Sequence, residues 1–178
     1  DGVHLASGSD IGKIRIWEVL PSGEEKILHN GHWEETAEDS TETRGFFIED
    51  DGGFQKPMEY WIGAMVFTPD AKMLITGSRD NTIRFFEMPT MNELRVVRGH
   101  NGWVRSLVVS PDGKVLISAG DDNTIRFWDI ATGRNFRTDK THGGAVRGIA
   151  LSPDGLRLAS ASWDRTVKLW EGGVEPAE

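Results

Sequence analysis

From Trp103 to Lys140 the apolar positions fall into short runs, WVRSLVVS, KVLISAG, TIRFWDI and NFRTDK, separated by stretches rich in Gly, Pro, Asp and Asn. Runs of this length, enriched in Val, Ile, Phe and Trp, predict strands. The SPDG at 110–113 predicts a reversal between the first two runs. Proline presets one turn position, the aspartate supplies a side-chain acceptor, and the glycine tolerates positive φ. Asp121-Asp122-Asn123 predicts the next reversal. The unit is four short antiparallel strands.

The unit recurs. DDNTIRFWD at 121–129 reappears as RDNTIRFFE at 79–87 and WDRTVKLWE at 163–171, with a weaker copy, DIGKIRIWE, at 10–18. The aromatic endpoints are Trp17, Phe86, Trp128 and Trp170; the last two intervals are 42 residues each, and the first is 69, so 27 residues are inserted. The turns TPDA (68–71) and SPDG (110–113 and 152–155) each place an Asp 16 residues before an endpoint. Asp1 stands 16 before Trp17, so the first copy is expected to begin inside such a turn. Ala71 replaces the turn glycine and should strain its copy.

A strict period of 42 with four strands per repeat indicates a propeller blade, since a sandwich has no reason to keep one. Gly99-His100, the SPDG turn, the Asp122 turn and Trp128-Asp129 together resemble the WD-repeat (tryptophan-aspartate repeat) β-propeller family. The likeness covers nearly all of the chain outside residues 33–58. Only Trp128-Asp129 shows the literal dipeptide, the other endpoints being followed by Glu18, Glu87 and Glu171. The implied fold is all-β, with about three and a half blades of four antiparallel strands. These are a partial blade and its outer strand at 1–31, blades at 59–99 and 100–141, and a partial blade at 142–171, with an acidic insertion at 33–58 and a tail at 172–178. The first copy lacks its innermost strand and the last its outermost, leaving 14 strands. Known propellers have about four to eight blades, so an incomplete ring or fragment is expected. Open edges at both ends would invite self-association.

His100, Ser118, Asp122 and Trp128 are separated by the same offsets as His142, Ser160, Asp164 and Trp170. Acid, base and nucleophile are all among these types. A catalytic set is needed once, however, whereas a scaffold network recurs in every blade, so the repetition favours bracing. The family resemblance implies a chain in which the indole N–H meets the serine, the serine meets the histidine, and the histidine meets the turn aspartate. The other copies are incomplete. Phe86 cannot donate, so Thr76, Asp80 and His32 form at most a partial set; Ile11 takes the Asp place in the first copy; Thr141 replaces the glycine before His142.

Composition narrows the partners. Cysteine is absent, which excludes disulfides and thiolate metal sites. No apolar run is long enough to span a membrane and no leader pattern opens the chain, so an intracellular protein, cytoplasmic or nuclear, is expected. The net charge of −8 disfavours nucleic acid and anionic lipid. Residues 33–58 carry eight acidic residues against Arg44 and Lys56, so most of the excess is local. Within this insertion WEETAEDSTETRG has the composition of a solvated segment, while Phe46, Phe47, Ile48 and Phe54 could fold back on a blade.

Isolated chemical motifs fail in detail. ASGSDIGKI has Ser7 where a phosphate loop needs glycine and Ile14 where it needs Ser or Thr. Asp50-Asp51-Gly52-Gly53 lacks the alternating carboxylates and closing glutamate of a calcium loop. His29 and His32 have no third ligand. Arg15, Arg84, Arg126 and Lys168 recur once per copy, two places before each endpoint, with stems expected to pack beside the aromatic ring. No cofactor, metal or catalytic residue is assigned, and an enzyme would need a polar cluster confined to one blade.

The resemblance implies a rigid platform for other proteins, engaged through the face bearing the histidine loops. Its contact positions lie three and five residues after the histidine and one before the turn aspartate. Here they are Trp103 and Arg105, Ala145 and Arg147, Arg79, Asp121 and Trp163, with Trp61 and Gly63 following by alignment past the insertion. Trp and Arg are also the types that dominate binding hot spots. The competing expectation is that these tryptophans only cap their own blades.

Overall fold

The computed structural model describes residues 61–172 throughout and, before them, only the backbone of five strands. Strands β1 (His4–Gly8), β2 (Ile14–Val19) and β3 (Glu25–Asn30) form an antiparallel three-stranded sheet in that order. Strands β4 (Phe47–Ile48) and β5 (Lys56–Pro57) pair as a two-stranded ladder. These five lie in one compact unit, residues 2–62, and a second unit runs from Gly63 onward. His32, Asp10, Ile11, the side chains of Arg15, Trp17 and His29, and the tail beyond Gly172 lie outside the described residues.

The second unit holds three antiparallel sheets, its first strand opening with Ile62 at the boundary. The first is β6 (Ile62–Phe67), β7 (Met73–Ser78), β8 (Thr82–Glu87) and β9 (Glu93–Arg98). The next is β10 (Val104–Val109), β11 (Val115–Gly120), β12 (Ile125–Asp129) and β13 (Asn135–Asp139). The last is β14 (Val146–Leu151), β15 (Arg157–Ser162) and β16 (Val167–Glu171). Within each sheet every strand pairs with its neighbour in sequence, as the apolar runs predict. One addition was not expected. The acidic segment holds the β4–β5 ladder, where Phe47 and Ile48, both good strand formers, pair with Pro57 and Lys56.

Side chains alternate across each strand, so each sheet presents two apolar faces. In β11, Leu116 faces a cluster with Ile75, Ile83, Phe85, Val104 and Trp128, while Val115, Ile117 and Ala119 face Ile125, Phe127, Val146, Ile149 and Leu158. All six residues of β11 are buried, the mark of a strand covered on both sides. Gly77 keeps the stacking tight, since a Cβ there would sit 2.4 Å from Val104 Cγ1. The last sheet is covered on one face only. Val167 and Leu169 are 70% and 77% exposed, whereas the matching Ile125 and Phe127 are 1% and 3%.

The repeated turn is built by its serine as much as by its proline and glycine. Ser110 Oγ donates to Asp112 Oδ1 at 2.5 Å and accepts the Val115 N–H at 2.9 Å, while Asp112 accepts the Lys114 N–H at 3.0 Å. Thr68–Asp70 and Ser152–Asp154 repeat the pattern at 2.6 and 2.5 Å. The fourth position is left-handed in each copy, with φ of 74° at Gly113, 73° at Gly155 and 54° at Ala71. Only Ala71 carries a Cβ into that region, at a cost of about 1 kcal/mol. Ala71→Gly should therefore raise the unfolding free energy by roughly 0.5 kcal/mol after the added chain entropy of glycine, and Gly113→Ala should lower it; urea titration of both variants checks the pair.

Candidate partner-binding face

Two layers of side chains gather at the ends of β7, β11 and β15 where the histidine loops lie. The inner layer is a string of hydrogen bonds. Trp128 Nε1 donates to Ser118 Oγ at 2.8 Å, and Ser118 Oγ lies 2.7 Å from His100 Nε2. His100 Nδ1 is 3.0 Å from each carboxylate oxygen of Asp122, which also accepts the Asn101 N–H at 2.9 Å and the Thr124 hydroxyl at 2.7 Å. A carboxylate only accepts, so Nδ1 carries the proton and Nε2 is left to accept from the serine. The last sheet repeats the string: Trp170 to Ser160 at 3.1 Å, Ser160 to His142 at 2.7 Å, and His142 to Asp164 at 2.8 Å.

In the first sheet of this unit the string is broken. Phe86 offers no donor, and Thr76 Oγ1, in the serine's place, is buried with no hydrogen-bond partner among the described residues. Asp80 instead accepts the Thr82 N–H at 2.9 Å and the Thr82 hydroxyl at 2.6 Å.

Burial works against the charge on Asp122, but the hydrogen bonds from His100, Asn101 and Thr124 outweigh it and hold the carboxyl far below its usual range. The Thr166 hydroxyl, with His142 and the Gly143 N–H, does the same for Asp164. The Ser–His–Asp order resembles an acyl-transfer triad in distance alone. Ser118 is fully buried and its oxygen already accepts an indole N–H, so no carbonyl carbon can approach it. Among the described residues no three His, Asp or Glu side chains gather to hold a metal ion.

The basic residues before each endpoint act through their heads. Arg126 Nε donates to Thr124 at 3.2 Å with its guanidinium 3.6 Å from Asp122, and Arg84 spans Asp80 and Glu93 at 3.4 and 2.7 Å. Lys168 Nζ donates to the Thr141 carbonyl. These bonds of the heads come in addition to the expectation, which concerned the stems. The missed signal is the Asp-x-Thr-x-Arg spacing, which places hydroxyl and guanidinium on the aspartate's side of the turn.

The outer layer brings together six of the nine contact positions, Arg79, Trp103, Arg105, Asp121, Arg147 and Trp163. Arg79 lies 4.5 Å and Arg105 3.8 Å from the Trp103 ring centre. Arg105 grips Asp121 with two bonds, at 2.9 and 2.6 Å. Arg147 reaches the same carboxylate at 3.2 Å and stacks 4.5 Å over Trp163. The line runs from the end of β7, through the start of β10 and the end of β11, to β14 and the end of β15, so it crosses all three sheets. The Arg105 bonds hold the Asp121 carboxyl below its ordinary value against the opposing effect of burial, with the charges of Arg105 and Arg147 adding to them. Trp61 falls in the other unit and is 38% exposed, and Trp163 is 69% exposed. Ala145 is buried and serves the backbone, its carbonyl accepting the Trp163 N–H at 2.9 Å.

Stacked antiparallel sheets of four and three strands, two of them braced by Trp–Ser–His–Asp strings, define a propeller-type repeat protein. The chain belongs to the WD40 family: the profile described as WD domain, G-beta repeat, matches residues 56–87, 91–129 and 133–171. The solved structure of U3-55K and that of the RRP9 WD40 repeats each superpose with a TM-score of 0.61 at 28% identity. Each alignment covers 65% of this chain and 37% of the solved one, so the chain spans just over a third of their length. No curated protein matches it in sequence.

Because the Asp122 carboxyl titrates lower folded than unfolded, it adds stability above the unfolded value of about 4, and that stability is lost as the pH falls below it. Unfolding free energy measured by urea from neutral pH down to about pH 3 should drop more steeply for wild type than for Asp122→Asn, which starts lower; equal slopes would remove Asp122 from the acid response.

Proposed function

We propose that the chain is a non-catalytic scaffold that presents the face lined by Arg79, Trp103, Arg105, Asp121, Arg147 and Trp163 to partner proteins. Propellers of this family are commonly protein-interaction platforms. The observation that carries the reading is the line of stacked and paired Trp, Arg and Asp side chains crossing three sheets. Their mutual contacts hold large, hydrogen-bond-rich groups in place before a partner arrives, which lowers the ordering cost of binding. The functional unit is the blade series 59–99, 100–141 and 142–171, braced by the strings from His100 to Trp128 and from His142 to Trp170. Trp103→Ala with Arg105→Ala should abolish retention of proteins held by the wild type in affinity capture while thermal unfolding stays within a few degrees, Arg147 remaining to pair Asp121. Undiminished retention by the double variant would refute this face.

The exposed Val167 and Leu169 favour a second reading, in which the chain works only once another sheet covers the last one. Their counterparts in the other two sheets are covered by an adjacent sheet in each case. On this reading, sedimentation shows an assembly of several chains that falls to a monomer with Val167→Lys and Leu169→Glu. A wild-type monomer at all concentrations would exclude self-association.

A further inference from the structure

The face residues differ in how much of their bonding capacity is already used. Arg105 forms both of its short bonds with Asp121, and its side chain is only 20% exposed. Arg147 makes one contact with that carboxylate, from a single terminal nitrogen, and its side chain is 36% exposed. A guanidinium presents five N–H donors in a planar fork, so Arg147 keeps an outward edge able to grip a second acceptor with two parallel bonds. Its flat face lies on Trp163, which fixes the fork while leaving most of that indole open to solvent. Asp121 serves two guanidiniums with one negative charge, so the Arg105–Asp121–Arg147 cluster carries net positive charge.

The surroundings select among anions. The Asp122 carboxylate is nearly buried against His100 and Arg126, and Asp164, next to Trp163, has a side chain 17% exposed. A continuous polyanion gains affinity by neutralising many phosphates at once, whereas the Arg105, Asp121 and Arg147 cluster offers a single net positive charge. One carboxylate on an otherwise neutral strand of peptide matches it. Its flanking stem finds an open indole in Trp163, with Trp103, stacked by Arg79 and Arg105, further along the same line.

We propose that Arg147 and Trp163 read an acidic side chain, Asp or Glu, in an extended peptide segment of the partner. The carboxylate takes the outward fork of Arg147, its methylene stem lies on Trp163, and the adjoining residues run toward Trp103. The proposal rests on this face being the partner surface. A phage-displayed random peptide library selected on the whole chain tests it. Recovered peptides should be enriched in Asp and Glu, bind more weakly as salt rises, and lose about tenfold in affinity on Arg147→Gln, with Arg147→Lys between the two. Asp121 keeps Arg105 in these variants, so their unfolding should match wild type. A pool without acidic enrichment, or an empty selection, overturns the proposal. If such a pool still requires Trp103, the face stands and only its charge preference falls. Peptides indifferent to both Arg147→Gln and Trp103→Ala would remove the face as well. Stronger binding of oligouridylate than of any selected peptide would overturn it in favour of nucleic acid.

Discussion

A strand buried on both sides can exist only between two covering layers, and this constraint organises everything from Gly63 onward. Six consecutive buried residues in β11 send their side chains alternately toward the sheet before and the sheet after. Each large apolar side chain removed from water contributes about 1.5–3 kcal/mol. The stacked faces therefore supply most of the driving force, and no sheet has a face of its own to spare for solvent. The last sheet shows the consequence, since the residues that its neighbours bury are there left open. The family profile reflects the same logic. Its matches at 91–129 and 133–171 each join the outermost strand of one sheet to three strands of the next, so the repeat in sequence ties adjacent sheets covalently.

Apolar stacking does not by itself fix where the loops sit, and the polar strings supply that. A tryptophan in one of those buried faces needs an acceptor, the serine on the neighbouring strand provides it, and the histidine carries the connection out to the turn aspartate. The string thus links the hydrophobic interior to the rim in three steps. Where it is complete, the rim is held at a definite height, and Trp103, Arg105 and Asp121 extend from positions beside it. Thr76 and Phe86 show what a broken copy leaves behind, a buried hydroxyl without a partner among the described residues. The proposed face accordingly centres on the second and third sheets of this unit, where both complete strings lie.

Much of this was legible in the residues, for identifiable reasons. The 42-residue interval between Phe86, Trp128 and Trp170 fixes which segments must be equivalent, and β-branched runs between Pro-Asp-Gly turns leave no other local structure open. Ala71 could be recognised as the strained turn because two other copies carry glycine there. The β4–β5 ladder was not legible, because two-residue strands in an acidic segment fall below any periodic signal. The partners of the Arg84, Arg126 and Lys168 heads were not legible either. Spacing along a strand gives the side on which a residue lies, but not whether a long side chain turns toward a ring or toward a carboxylate.

The sequence alone determined the repeat, its strands and turns, the all-β class and the equivalence of the His, Ser, Asp and Trp positions, because local propensity and period act within one copy. The resemblance to the family, and not the sequence alone, supplied the offsets of the rim residues. Only the tertiary structure decided that Arg147 and Arg105, 42 residues apart, share the single carboxylate of Asp121, and that Arg79 crosses to Trp103 on the next sheet. Those contacts arise between sheets. They depend on the distance and twist at which two apolar faces pack, which no single copy encodes.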